Sequence, residues 1–170
     1  MAKTLSIIGC GRVGKTLGRL WHEAGSFQIE GVLNRSLASA ADAVQFIGSG
    51  TPCNGAEEFP SSDCYLFATS DDSLGEAVGR FAKRAKFQGR PTVFHCSGAL
   101  TSSILLPLKE RGCQIASVHP VKSFADPARA LATFAGTPCA AEGDAEAVRL
   151  LALQFDTIGG RLFPIAPEGK

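Results

Sequence analysis

Apolar and polar positions follow one another in blocks along the chain, and each block predicts one strand or one helix. Short, mostly apolar runs, typical of strands covered on both faces, occupy residues 5–8, 27–33, 64–68, 92–96 and 114–118. Weaker strand patterns occupy residues 51–54, 137–141 and 160–165. Between the strands, apolar residues recur at helical spacing over residues 12–24, 37–47, 71–86, 102–111 and 144–155. This alternation predicts an α/β fold, with a doubly wound, mainly parallel sheet and helices on both faces.

Local signals refine two of these helices. Ser36 is suited to cap the helix over 37–47, whose apolar positions include Leu37, Ala41, Val44 and Ile47. Within the helix over 102–111, Pro107 predicts a bend or a shortened helix, because proline cannot donate the backbone hydrogen bond there.

Composition narrows the class of protein. A chain of 170 residues suits one domain, and a net charge of +1 gives no electrostatic case for nucleic acid or an acidic membrane surface. No apolar run approaches the roughly 20 residues of a membrane helix, and the N-terminus lacks a signal-peptide pattern, so a cytoplasmic location is expected. The six cysteines form no CxxC pair and the three histidines no ligand spacing, so reduced cysteines and no metal site are expected.

The segment Gly9-Cys10-Gly11-Arg12-Val13-Gly14 joins the first strand to the first helix and has the spacing G-x-G-x-x-G. In a dinucleotide site, Gly9 allows the tight turn, Gly11 lets a pyrophosphate approach the backbone, and Gly14 lets helix and strand pack closely. The helix N-terminus then presents its free N–H groups to the phosphates. Because a chain with 19 glycines produces such spacings by chance, an ordinary strand–helix turn is the alternative.

Ligands of open parallel sheets bind at the carboxyl ends of the strands. The predicted second strand ends in Asn34-Arg35-Ser36, where an NAD site usually carries an acidic residue. Asn34 does not repel a 2′-phosphate, Arg35 can pair with it and Ser36 can donate a hydrogen bond, so NADP(H) is favoured over NAD(H). Arg12 can also reach the phosphates. The alternative for Arg35 is a solvated loop residue.

The other predicted strand ends carry candidates for the cofactor and for catalysis. Thr69 and Ser70 lie where the central part of a dinucleotide would bind, and helix capping is their alternative role. A reductase needs a proton donor near the hydride acceptor, and His95 and His119 suit that task near neutral pH. Their alternatives are a satisfied residue at a strand end and a residue that shapes a turn. Further candidates are Ser97, near the nicotinamide end, and Lys122, as a second proton donor.

The segments IIGCGRVGKTLGRLW, GVLNRS, ATSDDSL, FHCSGAL and SVHPVKSFADP together resemble an uncharacterised bacterial family of Rossmann-like oxidoreductases. That family lies in the 6-phosphogluconate dehydrogenase-like superfamily, with pyrroline-5-carboxylate reductase and deazaflavin-dependent NADP oxidoreductases as more distant relatives. The resemblance implies an eight-stranded Rossmann sheet whose last strand runs antiparallel. It also implies that residues 9–14 bind pyrophosphate, that 34–36 select NADP, and that Thr69, Ser70 and Ser97 line the cofactor.

Proteins of this family continue into an all-helical domain that forms the dimer and closes the substrate pocket. Residues 1–165 are therefore expected to form the NADP-binding domain, and residues 166–170 to begin a connector to a helical domain that this sequence lacks. The main hypothesis is an NADP(H)-binding domain of an oxidoreductase that transfers hydride to or from a small C=O or C=N substrate, with a homodimer as an expected assembly. The rival hypotheses are a non-catalytic NADP(H)-sensing module that needs a partner, and a flavodoxin-like or S-adenosylmethionine-binding domain.

Overall fold

One eight-stranded sheet runs through the computed structural model, which describes residues 2–170. Its spatial order is β3-β2-β1-β4-β5-β6-β7-β8. The strands are β1 (Lys3–Ile8), β2 (Phe27–Leu33), β3 (Thr51–Cys53), β4 (Cys64–Phe67), β5 (Thr92–His95), β6 (Gln114–Pro120), β7 (Pro138–Gly143) and β8 (Arg161–Pro164). Because β3-β2-β1 extend to one side and β4-β5-β6 to the other, the chain changes direction between β1 and β4. A crevice at their carboxyl ends is the expected ligand position.

Within residues 2–170, six α-helices and two short 3-10 turns lie between the strands, and a third 3-10 turn follows β8. The helices are α1 (Arg12–Ala24), α2 (Leu37–Ile47), α3 (Asp71–Arg84), α4 (Leu106–Lys109), α5 (Pro127–Ala132) and α6 (Ala145–Asp156). The bounds predicted for α1, β2 and α2 are confirmed. Pro107 does shorten its helix, because a 3-10 turn over Ser102–Leu105 replaces the first part and only four residues of α4 follow. Among residues 2–170, no helix is long and apolar enough to cross a membrane.

The strand directions confirm a mainly parallel sheet. At its end, two strands instead of the one expected run antiparallel to the others. Strands β1 to β6 are mutually parallel, β7 pairs with β6 in the antiparallel sense, and β8 pairs with β7 in parallel. The last strand therefore does run against the first six, and β7 does so too. The antiparallel pairing also lengthens β6, so that His119 lies inside the strand, opposite Ala140, instead of after its end.

The helices bury apolar side chains on both faces of the sheet, which is the doubly wound arrangement. On one face, α1, α2 and α6 pack around Trp21, whose side chain is fully buried. Its ring meets Phe27 and Phe155 edge-on at centroid distances of 5.2 and 5.1 Å. On the other face, α3 and α4 cover Tyr65 and Phe67. The sheet is therefore packed on both faces beneath its carboxyl edge, where the candidate site residues lie.

Only some of the apolar positions of α2 are buried. Ala40, Ala43 and Ile47 are fully buried, whereas Leu37 is 44% exposed and Ala41 lies at the surface. Close packing against α1 decides the face, because a Cβ added to Gly18 would lie 2.9 Å from Ile47 Cδ1. Alanines allow the approach of the two helices, so the small residues of α2 face inward in place of Leu37.

Candidate functional site

In the glycine-rich turn between β1 and α1, two of the three glycines have no room for a side chain and the third borders an open space. Gly9 has a φ of +74°, and a Cβ there would lie 2.2 Å from Thr69 Cγ2. A Cβ at Gly14 would lie 3.1 Å from Cys10 Sγ, whereas a Cβ at Gly11 would meet nothing within 4 Å. The three glycines therefore have the turning, opening and packing geometry that a dinucleotide site requires.

The N-terminus of α1 offers unpaired donors at this open space. Within residues 2–170, no group accepts a hydrogen bond from the backbone N–H of Arg12, Val13 or Gly14. The first turn of α1 contains no acidic residue, and Arg12 is exposed beside it. Free N–H groups, the helix dipole and a cation together favour an anion such as a pyrophosphate.

Asn34 holds the glycine-rich turn in place. Its Oδ1 accepts a 2.6 Å hydrogen bond from the N–H of Cys10, and its Nδ2 donates to Ser39 O at 2.9 Å. The Cys10 side chain is 1% exposed and burial raises its pKa to about 12, so this thiol belongs to the core. Cys10 therefore contributes to the site through the shape of its backbone, since its N–H is bonded to Asn34 and its thiol is buried.

Arg35 and Ser36 follow Asn34 at the surface. Arg35 is exposed and forms no ion pair or hydrogen bond within residues 2–170, so its guanidinium is free to bind an anion. The Ser36 hydroxyl caps α2, as predicted, by accepting from Ser39 N–H at 3.2 Å and donating to Ser39 Oγ. Of the two, Arg35 is the better placed to recognise a phosphate.

Across the crevice, Thr69 and Ser70 connect β4 to α3. Thr69 Oγ1 is buried and has no hydrogen-bond partner in the described part of the chain, although its methyl group packs against Gly9. Ser70 precedes α3, but its hydroxyl donates to Ser73 Oγ and makes no capping bond. Helix capping therefore does not occupy either side chain, and the orphaned Thr69 hydroxyl fits a site that a ligand completes.

His95 lies at the end of β5 with no exposed surface. Its Nδ1 accepts from Ser97 N–H at 3.1 Å, so Nε2 carries the proton and donates to Thr101 O at 3.1 Å. Burial lowers the pKa of His95 to about 4. Neither ring nitrogen is left for a substrate, and this geometry fits the alternative of a satisfied residue at a strand end.

His119 lines an open cleft beside the glycine-rich turn. The cleft has a volume of about 370 Å³, and its walls also include Arg12, Lys122 and Phe124. His119 Nδ1 donates to Cys96 O at 3.3 Å, which leaves Nε2 without a partner among residues 2–170. Lys122 lines the same cleft, but its ammonium donates to Thr133 O and Oγ1 at the end of α5. His119 is thus the predicted proton donor with a ring nitrogen to offer.

Other features of the structure are weaker candidates for a functional site. Burial raises the pKa of Cys96, so the thiol in the cleft wall stays protonated and is a poor nucleophile. A cavity of about 420 Å³ lies at the opposite edge of the sheet, where Lys109 pairs with Asp144 and Glu146 accepts from Gln114 Nε2. Among residues 2–170, no group of three His, Cys, Asp or Glu side chains is placed to hold a metal ion.

Sequence patterns missed a second layer of polar residues beneath the cleft. Glu142 on β7 is 4% exposed and accepts from both the N–H and the hydroxyl of Ser102. The Lys170 ammonium donates to Ser97 O, Leu100 O and Ser117 Oγ. A serine within an apolar strand was the available signal for Ser117, whereas nothing in the sequence pattern singles out Lys170.

Comparison with known proteins supports the fold at the level of family and topology. The family described as Rossmann-like domain matches residues 2–120. No curated protein matches the chain. The structure of BF3122 from Bacteroides fragilis, provisionally described as an NADP oxidoreductase, has a TM-score of 0.83 and 16% sequence identity. That alignment covers 99% of this chain and 62% of the other.

Two further solved structures have the same fold. A prephenate dehydrogenase from A. aeolicus, solved with NAD⁺, gives a TM-score of 0.72 at 17% identity, covering 99% of this chain and 61% of that chain. A pyrroline-5-carboxylate reductase from Coxiella burnetii gives 0.73 at 15% identity, covering 99% and 60%. The chain spans about three-fifths of the length of these proteins. The family match confirms the resemblance to Rossmann-like proteins, and the solved structures share the fold of this chain.

Proposed function

The chain belongs to the Rossmann-like domain family, and we propose that it is the NADP(H)-binding domain of an oxidoreductase acting on a small C=O or C=N compound. One observation carries the proposal: three free N–H groups at the start of α1 face the open space at Gly11. The orphaned hydroxyl of Thr69 lies across the crevice, beside Gly9. The residues present therefore fit a dinucleotide, which supplies the hydride when bound.

The residues of this domain have separate roles in the proposal. The backbone of 11–14 binds the pyrophosphate, Asn34 keeps the turn in shape, and Arg35 pairs with the 2′-phosphate. His119, as an imidazolium whose Nδ1–H stays bonded to Cys96 O, transfers the Nε2 proton that accompanies the hydride and becomes neutral. Ser97, Ser70 and Thr69 line the cofactor. Residues 1–165 form the nucleotide domain and 166–170 the start of a connector, in a cytoplasmic protein that forms a homodimer.

Cofactor choice tests the proposal directly. Arg35→Ala should raise the Kd of NADPH about 10-fold to 100-fold, because a charge-assisted bond to a phosphate contributes about 1.5–3 kcal/mol. The Kd of NADH should change less than about twofold, because NADH lacks the 2′-phosphate. Fluorescence titration of both nucleotides measures the two constants. Arg149→Ala removes an exposed arginine on α6 and serves as the control.

Equal weakening of NADPH and NADH by Arg35→Ala would refute the phosphate assignment. Absence of binding by either nucleotide to the unsubstituted chain would refute the proposed function itself.

Proton transfer gives a second test. His119→Gln should lower NADPH-dependent reduction of cyclic imines or small ketones about 100-fold or more, because it removes the proton donor. The Kd of NADPH should stay within about threefold, since His119 is not assigned to the phosphates. The exposed His22 at the end of α1 provides the matched control, His22→Gln. Unchanged turnover in His119→Gln would exclude this residue as the donor.

A non-catalytic module that binds NADP(H) is the second candidate. The observation that favours it is the burial of His95, because one of the two predicted histidine donors is committed to backbone hydrogen bonds. This candidate predicts tight NADPH binding with no reduction of any carbonyl or imine, alone or with a helical partner chain.

A further inference from the structure

Side-chain hydrogen bonds hold the backbone of the loop that follows β5, residues 96–101. Ser97 Oγ accepts from the N–H groups of Ala99 and Leu100 at 3.1 and 3.0 Å. The His95 ring joins the two ends of the loop, since it accepts from Ser97 N–H and donates to Thr101 O. These bonds satisfy three N–H groups, but they leave the carbonyl groups of Ser97 and Leu100 without a partner from the loop itself.

The side chain of Lys170 supplies that partner from 70 residues away along the chain. Its Nζ donates to Ser97 O at 2.8 Å, to Leu100 O at 2.9 Å and to Ser117 Oγ. An ammonium has three donors, so these three acceptors satisfy it completely. Ser117 lies on β6 with no exposed surface, and the contact therefore joins the loop to the sheet.

The ammonium is held by neutral oxygens and forms no ion pair within residues 2–170. Glu142, Asp71, Cys96 and the neutral ring of His95 are the titratable groups around it. Burial lowers the pKa of Lys170, which is the expected cost of placing a cation there. The three hydrogen bonds of the ammonium offset this cost, and they connect the loop to β6.

The loop forms a wall of the cleft in which the nicotinamide half of a dinucleotide would lie. Cys96 lines the cleft, and Gly98 packs so closely on His119 that a Cβ there would lie 2.8 Å from Cε1 of the ring. A shift of the loop would therefore change both the cleft and the position of His119.

We propose that Lys170 is a positioning residue for the cofactor site, because its ammonium fixes the loop 96–101 on β6 beside His119. This inference rests on the proposed NADP(H) site for its effect on binding, whereas the ordering of the loop can be tested without any nucleotide. The segment 165–170 thereby becomes part of the site. The affinity for the cofactor should therefore depend on where this segment lies.

Hydrogen exchange of the nucleotide-free chain tests the ordering. In Lys170→Met, the amides of Ala99 and Leu100 should exchange about 10-fold faster or more, because the loop opens more often. Ser117→Ala keeps the charge and removes one acceptor, so it should accelerate the same amides less. In the Lys170→Met background, Ser117→Ala should add nothing, since the two residues act through one contact. Lys83→Met, at an exposed lysine of α3, is the control.

Two ligands separate positioning from a general loss of stability. Lys170→Met should raise the Kd of NADPH about 5-fold to 10-fold, but leave that of adenosine 2′,5′-bisphosphate within about twofold. The bisphosphate contains the half of the cofactor assigned to Arg35 and not the half assigned to the cleft. Equal weakening of both ligands would overturn the proposal, as would unchanged exchange of Ala99 and Leu100. Failure of NADPH to bind the unsubstituted chain would refute the proposed function, and the exchange comparison would still decide the role of Lys170.

Discussion

Gly9→Ala should lower the free energy of unfolding by about 3 kcal/mol or more, whereas Gly11→Ala should change it by less than about 0.5 kcal/mol. The two glycines are two residues apart in the same turn, but a new methyl group meets different surroundings. At Gly9 it would lie 2.2 Å from Thr69 Cγ2 and 2.9 Å from Thr69 N. The second of these atoms is backbone, so the junction between β4 and α3 would have to move.

Backbone conformation adds to the cost at Gly9. Its φ of +74° is one that alanine adopts only at a cost of about 1–2 kcal/mol. Gly11 has a negative φ of −82°, and a Cβ there would meet nothing within 4 Å, so alanine at this position clashes with no neighbour in the free protein. Urea unfolding monitored through the buried Trp21 measures both changes on one scale.

Nucleotide titration should give the opposite order for the folded variants. Gly11→Ala places a methyl group where a pyrophosphate would approach, and we expect the Kd of NADPH to rise about 10-fold or more. A stable Gly9→Ala protein would contradict the packing at Thr69. A Gly11→Ala protein that binds NADPH unchanged would show that the open space at Gly11 is not the phosphate site.

Local sequence patterns predicted the half of the fold that carries the glycine-rich turn. The bounds of α1 and α2 could be predicted because their signals are local. Apolar residues at helical spacing mark both helices, Gly25 ends α1, and Ser36 caps the start of α2. The buried strand β4 was readable because a strand covered on both faces is continuously apolar. Asn34 is predicted to take part in cofactor choice, and the structure adds that its amide is bonded to the glycine-rich turn and to Ser39.

Features that depend on distant contacts could not be predicted. The direction of β7 is one example, because an apolar pattern with a period of two is the same whichever way a strand runs. The exposure of Leu37 depends on how closely α1 and α2 approach at Gly18. Lys170 reaches Ser97 across 73 residues, and no local signal reports such a contact.

The buried His95 should make the protein less stable in mild acid. Burial lowers its pKa to about 4 in the folded chain, from the ordinary value of 6.5 that the unfolded chain has. Between these two values the unfolded chain binds a proton that the folded chain does not, so the free energy of unfolding decreases as the pH falls. The complete window corresponds to about 3 kcal/mol, of which about 2 kcal/mol should be lost between about pH 7 and pH 5.

Urea unfolding at a series of pH values measures this loss, and His95→Gln isolates its cause. Glutamine does not titrate, so the variant should be less stable at pH 7 but should lose about 2 kcal/mol less than the unsubstituted chain on acidification to about pH 5. Asp63 stays ionised in this range, because the hydrogen bond from Thr4 N–H lowers its pKa below 3.8. Equal acid sensitivity in both proteins would mean that His95 takes up its proton in the folded state. The ring would then be unable to accept from Ser97 N–H, and the loop 96–101 could not keep the shape that places it against His119.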